Sequence, residues 1–151
     1  MRMHTTRGFT LVELLIVIGI MTMLAGVSSV VYGNLQQSAQ LNETGAQMTQ
    51  NLRVVREQSN AGKNNAAHGI RFESSRYTLF QGATYATRES AYDRVYTLAP
   101  ALSLTTTFVG DEVVFSKGVG TPIMAGTITM VHAVRGSKTI LVEDNGTIQE
   151  Q

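Results

Sequence analysis

The residue whose type and position most call for a chemical role is Glu13. It follows Phe9-Thr10-Leu11-Val12, and beyond it Leu14 to Val31 form 18 residues without a charge, with Thr22, Ser28 and Ser29 as the only polar members. A charge-free run of about 18 residues is long enough for a helix to cross a bilayer. A carboxylate within such a segment costs about 2–3 kcal/mol even on lenient insertion scales. A group held at that cost needs a partner, and no lysine or arginine lies near it on the C-terminal side. If the chain were cut after Gly8, an α-amino group would appear on Phe9, four residues earlier. An amine with a reference pKa near 8 is largely protonated at neutral pH. Glu13 could then pair with its own amine or with that of a neighbouring copy. The second arrangement neutralises two costly charges only upon assembly, and so would fix the axial stagger between copies.

Plainer readings of this segment compete. A secretory signal peptide has a basic start and an apolar centre of about 7–15 residues, but its centre would not normally hold an acid. A plain single-pass anchor explains the hydrophobicity and not Glu13. A buried helix of a soluble protein sits poorly with the length and the one-sided charge. Arg2 and Arg7 precede the run and no basic residue follows for a long way, which predicts a cytoplasmic N-terminus.

Other candidates for chemistry are sparse. Of the three histidines, His4 lies near the start, and His68 and His132 fall in separate strand candidates without metal-ligand spacing. Asp111-Glu112 and Glu143-Asp144 fall at turns. The default there is a solvated turn, with calcium a minor alternative because that ion needs six or more oxygen ligands. There is no cysteine, which excludes disulfides, thiolate metal sites, a cysteine nucleophile and a lipoprotein anchor. Gly-rich phosphate loops, nucleophile elbows and HExxH are absent too, so neither an enzyme nor a cofactor is expected. The formal net charge of +1 gives the whole molecule no strong attraction to nucleic acid or anionic lipid.

Arg7-Gly8-Phe9-Thr10-Leu11-Val12-Glu13-Leu14-Leu15 resembles the processing and methylation signal of type IV pilins and type II secretion pseudopilins. The resemblance implies a leader of residues 1–8, removed between Gly8 and Phe9 by a prepilin peptidase/methyltransferase that then N-methylates Phe9. The mature chain would have 151 − 8 = 143 residues. It implies that Glu13, the fifth mature residue, pairs with the Phe9 amine of a neighbour. It further implies a single-pass protein of the bacterial inner membrane with its domain in the periplasm, and partners that include other pilins or pseudopilins, an inner-membrane platform protein and an assembly ATPase. Pilins often carry a proline about twenty residues into the mature helix; here Gly19 and Gly26 are the candidate weak points instead.

The elements that would position this segment follow from periodicity. Leu35, Leu41, Met48, Leu52 and Val55 recur as the stripe of an amphipathic helix. The spacing predicts one helix from Thr10 to about Asn60, stopped at Ala61-Gly62 and Lys63-Asn64-Asn65. Residues 9–31 would be its membrane half and 32–60 its amphipathic half, packed on the chain's own sheet. Residues 61–151 read as a β-rich globular domain. Its strand candidates are His68–Glu73, Arg76–Gln81 (joined at Ser74-Ser75), Arg94–Leu98, Leu102–Phe108, Val113–Ser116, Thr127–Ala133, Lys138–Val142 and Thr147–Gln149, with Gly136-Ser137 as a turn. Hairpins on one helix face make an α+β fold: a long N-terminal helix on a small antiparallel β-sheet domain.

The segment Phe115 to Val119, Gly126-Thr127-Ile128-Thr129, Thr139 to Val142 and Gly146-Thr147-Ile148 resemble the GspH/FimT-type branch, the H-type minor pseudopilins and the T- and U-type fimbrial minor pilins. Leu52-Arg53, Arg56 and Tyr77 with Phe80 fit the same pattern. Because some T-type pilins act in DNA uptake, Arg71, Arg76, Arg88, Arg94, Arg135 and Lys138 form a candidate basic patch. The chain nevertheless ends Thr147-Ile148-Gln149-Glu150-Gln151, without the arginines of such a tail. Three readings stand at this point: a filament subunit, a DNA-binding competence pilin, and a plain membrane-anchored periplasmic domain.

Overall fold

The computed structural model describes residues 8–151, and for residues 27–35 the backbone only. The expected leader up to Arg7, with His4, and the side chain of Leu35 lie outside the described residues. The chain divides into two compact units, residues 1–37 and 38–151.

One helix, α1, runs from Leu11 to Asn60. In the second unit its inner stripe is Leu41, Gly45, Met48, Leu52, Val55 and Ser59, all buried. The periodicity had marked the four large apolar residues of this stripe. The two small ones were invisible to it, and each has a packing reason. At Gly45 a Cβ would stand 2.7 Å from Lys138 Cδ, so the Lys138 stem crosses the helix there. The Ser59 hydroxyl accepts the His68 N–H at 2.8 Å and donates to the His68 carbonyl at 3.3 Å, tying the helix end to the first strand.

Eight strands follow: β1 His68–Glu73, β2 Arg76–Gln81, β3 Arg94–Thr97, β4 Leu102–Thr106, β5 Glu112–Phe115, β6 Gly126–His132, β7 Gly136–Val142 and β8 Ile148–Glu150. They form two four-stranded sheets rather than one. Sheet A has the order β3-β2-β1-β5 and sheet B the order β4-β6-β7-β8, with every pairing antiparallel. The β1–β2 turn joins them, since Ser75 and Ser74 carbonyls accept the Leu98 and Leu104 N–H groups at 2.9 and 3.0 Å. Both sheets share one core with the α1 stripe, centred on Met48, Leu52, Ile70, Phe115, Ile128 and Ile140. Tyr77 lies within it, its hydroxyl accepting from Asn51 at 2.9 Å and its ring stacked on Tyr96. Burial, opposed by the Asn51 bond, pushes the Tyr77 phenol up to about 12.

Two expectations need correction. Gly136-Ser137 is not a turn: Gly136 pairs with His132, and Ala133-Val134-Arg135 make the loop. A three-residue hairpin loop needs a positive φ where it rejoins the strand, and Gly136 supplies it at 91°. The fourth strand ends at Thr106 rather than Phe108, because the Thr107 hydroxyl takes the Thr127 N–H at 2.8 Å while Phe108 turns into the core.

His68 is buried, and that burial, reinforced by the nearby Lys63 ammonium, lowers its pKa below the ordinary 6.5. The unfolded chain therefore binds a proton that the folded chain refuses. The contribution of His68 to stability is complete above about pH 6.5 and is lost as the pH falls below it. Urea midpoints are expected to drop between pH 7 and pH 5, and His68→Gln to flatten that dependence.

Candidate functional site

In the first unit, Gly8 and Phe9 precede the helix, Phe9 is 78% exposed, and a Cβ on Gly8 would meet nothing within 4 Å. Glu13 sits in the first turn of α1, where the positive end of the helix dipole favours an anion. Thr10 caps the helix: its Oγ1 accepts the Glu13 N–H at 3.2 Å, and its own N–H reaches back to Glu13 Oε2 at a long 3.5 Å. This is a capping box. Reading the sequence for charge alone missed Thr10, although Thr10-x-x-Glu13 was its signal.

Around Glu13 the helix is apolar on every side. Its large hydrophobic residues from Leu11 to Leu24 are between 41% and 77% exposed, and Glu13 is the lone charged residue from Gly8 to Gly26. A helix that is hydrophobic all round belongs in a protein core or in a membrane. Among the described residues no helix is long and apolar enough to cross a membrane. The charge-free run continues through residues 27–35, whose side chains lie outside the description.

In the second unit the motifs at the helix end converge. Arg56 Nε donates to the Gly120 carbonyl at 3.3 Å, and the Gly118 N–H donates to the Ser59 carbonyl at 2.8 Å. The turn at Gly146 closes over both: a Cβ there would lie 2.8 Å from the Gly120 oxygen and 2.9 Å from Arg56 Nε. Arg56, the loop after Phe115 and the Gly146 turn are thus one clasp on the end of α1, which explains why scattered residues share a pattern. Gly146→Ala meets this crowding at a φ of 82°, and is expected to cost about 2–3 kcal/mol. At Gly110, where φ is 71° but the space is open, the same change should cost about 1 kcal/mol. Parallel thermal melts check the difference.

The six basic residues do not gather into one open patch. Arg71 donates to the Gly110 carbonyl, Arg76 pairs with Glu73 at 2.8 Å, and Arg88 pairs with Asp93 at 2.7 Å while lying 3.8 Å over the Tyr85 ring. Lys138 faces α1, bonding Asn42 and pairing with Glu150. Arg94 opens β3, and Arg135 lies in the loop between β6 and β7. Among the described residues no group of three His, Asp or Glu could hold a metal ion. His132 closes β6, its Nδ1 accepting the Val134 N–H at 3.2 Å. Glu143 accepts from Asn145 and Gln149, and Asp111 from Thr106, so these acids serve local turns.

Residues 3–29 match the prokaryotic N-terminal methylation motif. Among curated proteins none matches the chain. Among solved structures, the minor pseudopilin EpsH from the Type 2 Secretion System of Vibrio cholerae is similar at 14% identity and a TM-score of 0.58, over 74% of this chain and 96% of that one. The type IV minor pilin FimU of Pseudomonas aeruginosa is similar at 14% identity and a TM-score of 0.62, over 78% of this chain and 92% of that one. At such identities the likeness speaks for the fold: a long N-terminal helix with antiparallel sheets. The chain thus carries the prokaryotic N-terminal methylation motif at its start and, after it, shares the fold of these minor pilins and pseudopilins.

Proposed function

We propose that the chain is a minor pilin or pseudopilin subunit that is held by α1 in the bacterial inner membrane, with its domain on the periplasmic side, until a filament takes it up. A prepilin peptidase/methyltransferase removes residues 1–8 and methylates Phe9. Glu13 then exchanges its contact with its own Thr10 for the Phe9 amine of a neighbouring subunit. Lateral burial of the apolar helix supplies cohesion, and the ion pair supplies register. A platform protein and an assembly ATPase would drive extraction.

The observation that carries this reading is Glu13 itself, a lone carboxylate at the start of a helix that is otherwise apolar on all sides. A lipid anchor gains nothing from such a group and bears its desolvation cost. An assembling helix gains an address that only a processed neighbour can read. Arg71, Arg76 and Arg88 are already engaged by Gly110, Glu73 and Asp93, which gives no matching reason for a DNA-uptake role. To test the proposal, cysteines placed at Leu11 and Leu15 of separately tagged copies would be oxidised in cells. Disulfides between copies, or to another pilin, are expected only when the leader is cleaved. Equal crosslinking in uncleavable Gly8→Glu copies would contradict it.

A further inference from the structure

The two edges of sheet A are treated differently. At the β5 edge, Phe115 bridges to Pro122, and the Val114 carbonyl accepts the Ile123 N–H at 2.9 Å. At the other edge β3 pairs with β2 and, among the described residues, with no further strand. An edge strand presents a row of unpaired N–H and C=O groups that another chain can extend. This edge also carries exposed apolar side chains, Tyr92 at 52% and Val95 at 57%. Between it and the end of α1 lies a cleft of about 440 Å³. Val55 of α1 and Leu79 of β2 line the cleft. So does His68, 4% exposed, whose Nδ1 has no partner among the described residues. Lys63 and Arg94 line it too, and neither belongs to any of the three ion pairs formed among the described residues. The carboxylate that lines it, Asp93, is already paired with Arg88 at 2.7 Å.

We propose that β3 and this cleft together bind an extended acidic segment of a protein partner, which adds to sheet A as a further strand. Successive side chains of a strand point to opposite faces, so pairing fixes where the guest's side chains go. Arg94 stands opposite Leu79, a core residue, and the two share the inner face of the sheet. A guest residue paired with Arg94 would point into the cleft that Lys63 also lines. The next would lie on the outer face, beside the exposed Val95. Charge decides what the guest must carry. An uncharged strand would cover Arg94 and leave it without a counterion, which is how an inward charge keeps an edge from indiscriminate pairing. A guest with a carboxylate there meets a guanidinium and an ammonium, and such charge-assisted bonds are about twice as strong as neutral ones. The edge thus rejects neutral strands and accepts an acidic one. Main-chain bonds supply affinity, and the cleft supplies the choice. A free anion would use the cations but leave the β3 backbone, Tyr92 and Val95 unused. Nothing in this pairing depends on Glu13 or on filament assembly.

The test uses the full chain in neutral detergent and capped hexapeptides that alternate threonine and valine, with one glutamate placed at each position in turn. At least one is expected to bind with a Kd below about 1 mM, and its glutamine counterpart roughly tenfold more weakly. Amide hydrogen exchange over residues 92–98 should slow on binding, because strand pairing occupies the edge N–H groups. Arg94→Gln should weaken the glutamate peptide about tenfold and abolish the preference for glutamate over glutamine. Lys63→Gln, on a separate element, should lower that preference several-fold and covers the case in which the Arg94 variant misfolds. Arg71→Gln, on the outer face of the same sheet, should change nothing. No binding by any peptide of the set, equal binding of glutamate and glutamine peptides, or binding that leaves exchange in β3 unchanged would overturn the proposal. So would inorganic phosphate or phosphatidylglycerol vesicles that bind as strongly as the peptide and are lost with Arg94→Gln, which would make this a plain anion site. Self-association of the chain in detergent that Arg94→Gln abolishes would likewise overturn it, giving the edge to a second copy.

Discussion

Glu13→Ala is expected to leave membrane insertion at its normal level while removing the chain from filaments sheared off cells. The unassembled helix loses a costly charge, so nothing hinders its entry into lipid. The assembled state is affected in the opposite sense, because the neighbour's Phe9 amine would then be buried without a counterion. An interaction of about 2–3 kcal/mol corresponds to a fall in incorporation on the order of fifty-fold. Thr10→Ala is the informative control. It removes the cap, at about 1 kcal/mol of helix stability, but keeps the carboxylate, so incorporation should decline only modestly. Quantitative blots of membrane and sheared fractions read both effects. Equal losses in the two variants would mean that Glu13 acts only as a helix cap.

Phe115→Ala is expected to be the most destabilising single truncation in the domain. The side chain is fully buried; the backbone of Phe115 pairs with His68 of β1 and forms an isolated β-bridge to Pro122 in the loop that follows. Truncating a buried phenylalanine costs about 3–5 kcal/mol, a large share of a total stability of about 5–15 kcal/mol. The melting temperature should fall by on the order of 10–15 °C. Val109→Ala, at a residue 79% exposed, should move it by no more than about 2 °C. Thermal unfolding of the full chain in neutral detergent, followed by near-UV circular dichroism, compares the two.

Much of this was legible in the sequence because local periodicity carries it. Gln36 to Asn60 repeats apolar residues at helical spacing, and His68–Glu73 and Arg76–Gln81 appear in the structure with the bounds their composition suggested. What was not legible depends on contacts between distant segments. That the strands divide into two sheets follows from β4 leaving β3 to pair with β6, a choice made by the shared core. The roles of Gly45, Ser59 and Arg56 arise only once Lys138, His68 and Gly120 are folded against α1. At the N-terminus the position was reversed. Glu13 was conspicuous by charge, whereas its partner Thr10 was passed over as one more small residue in an apolar run.

The central claim is that a carboxylate set among apolar side chains waits for an amine that exists only after processing. Intact-mass measurement of the chain extracted from membranes tests it most directly. The expected species begins at Phe9, has 143 residues from 151 − 8, and carries one added methyl group. A chain that still begins at Met1, or one cut within the apolar run near Ser28, would contradict it.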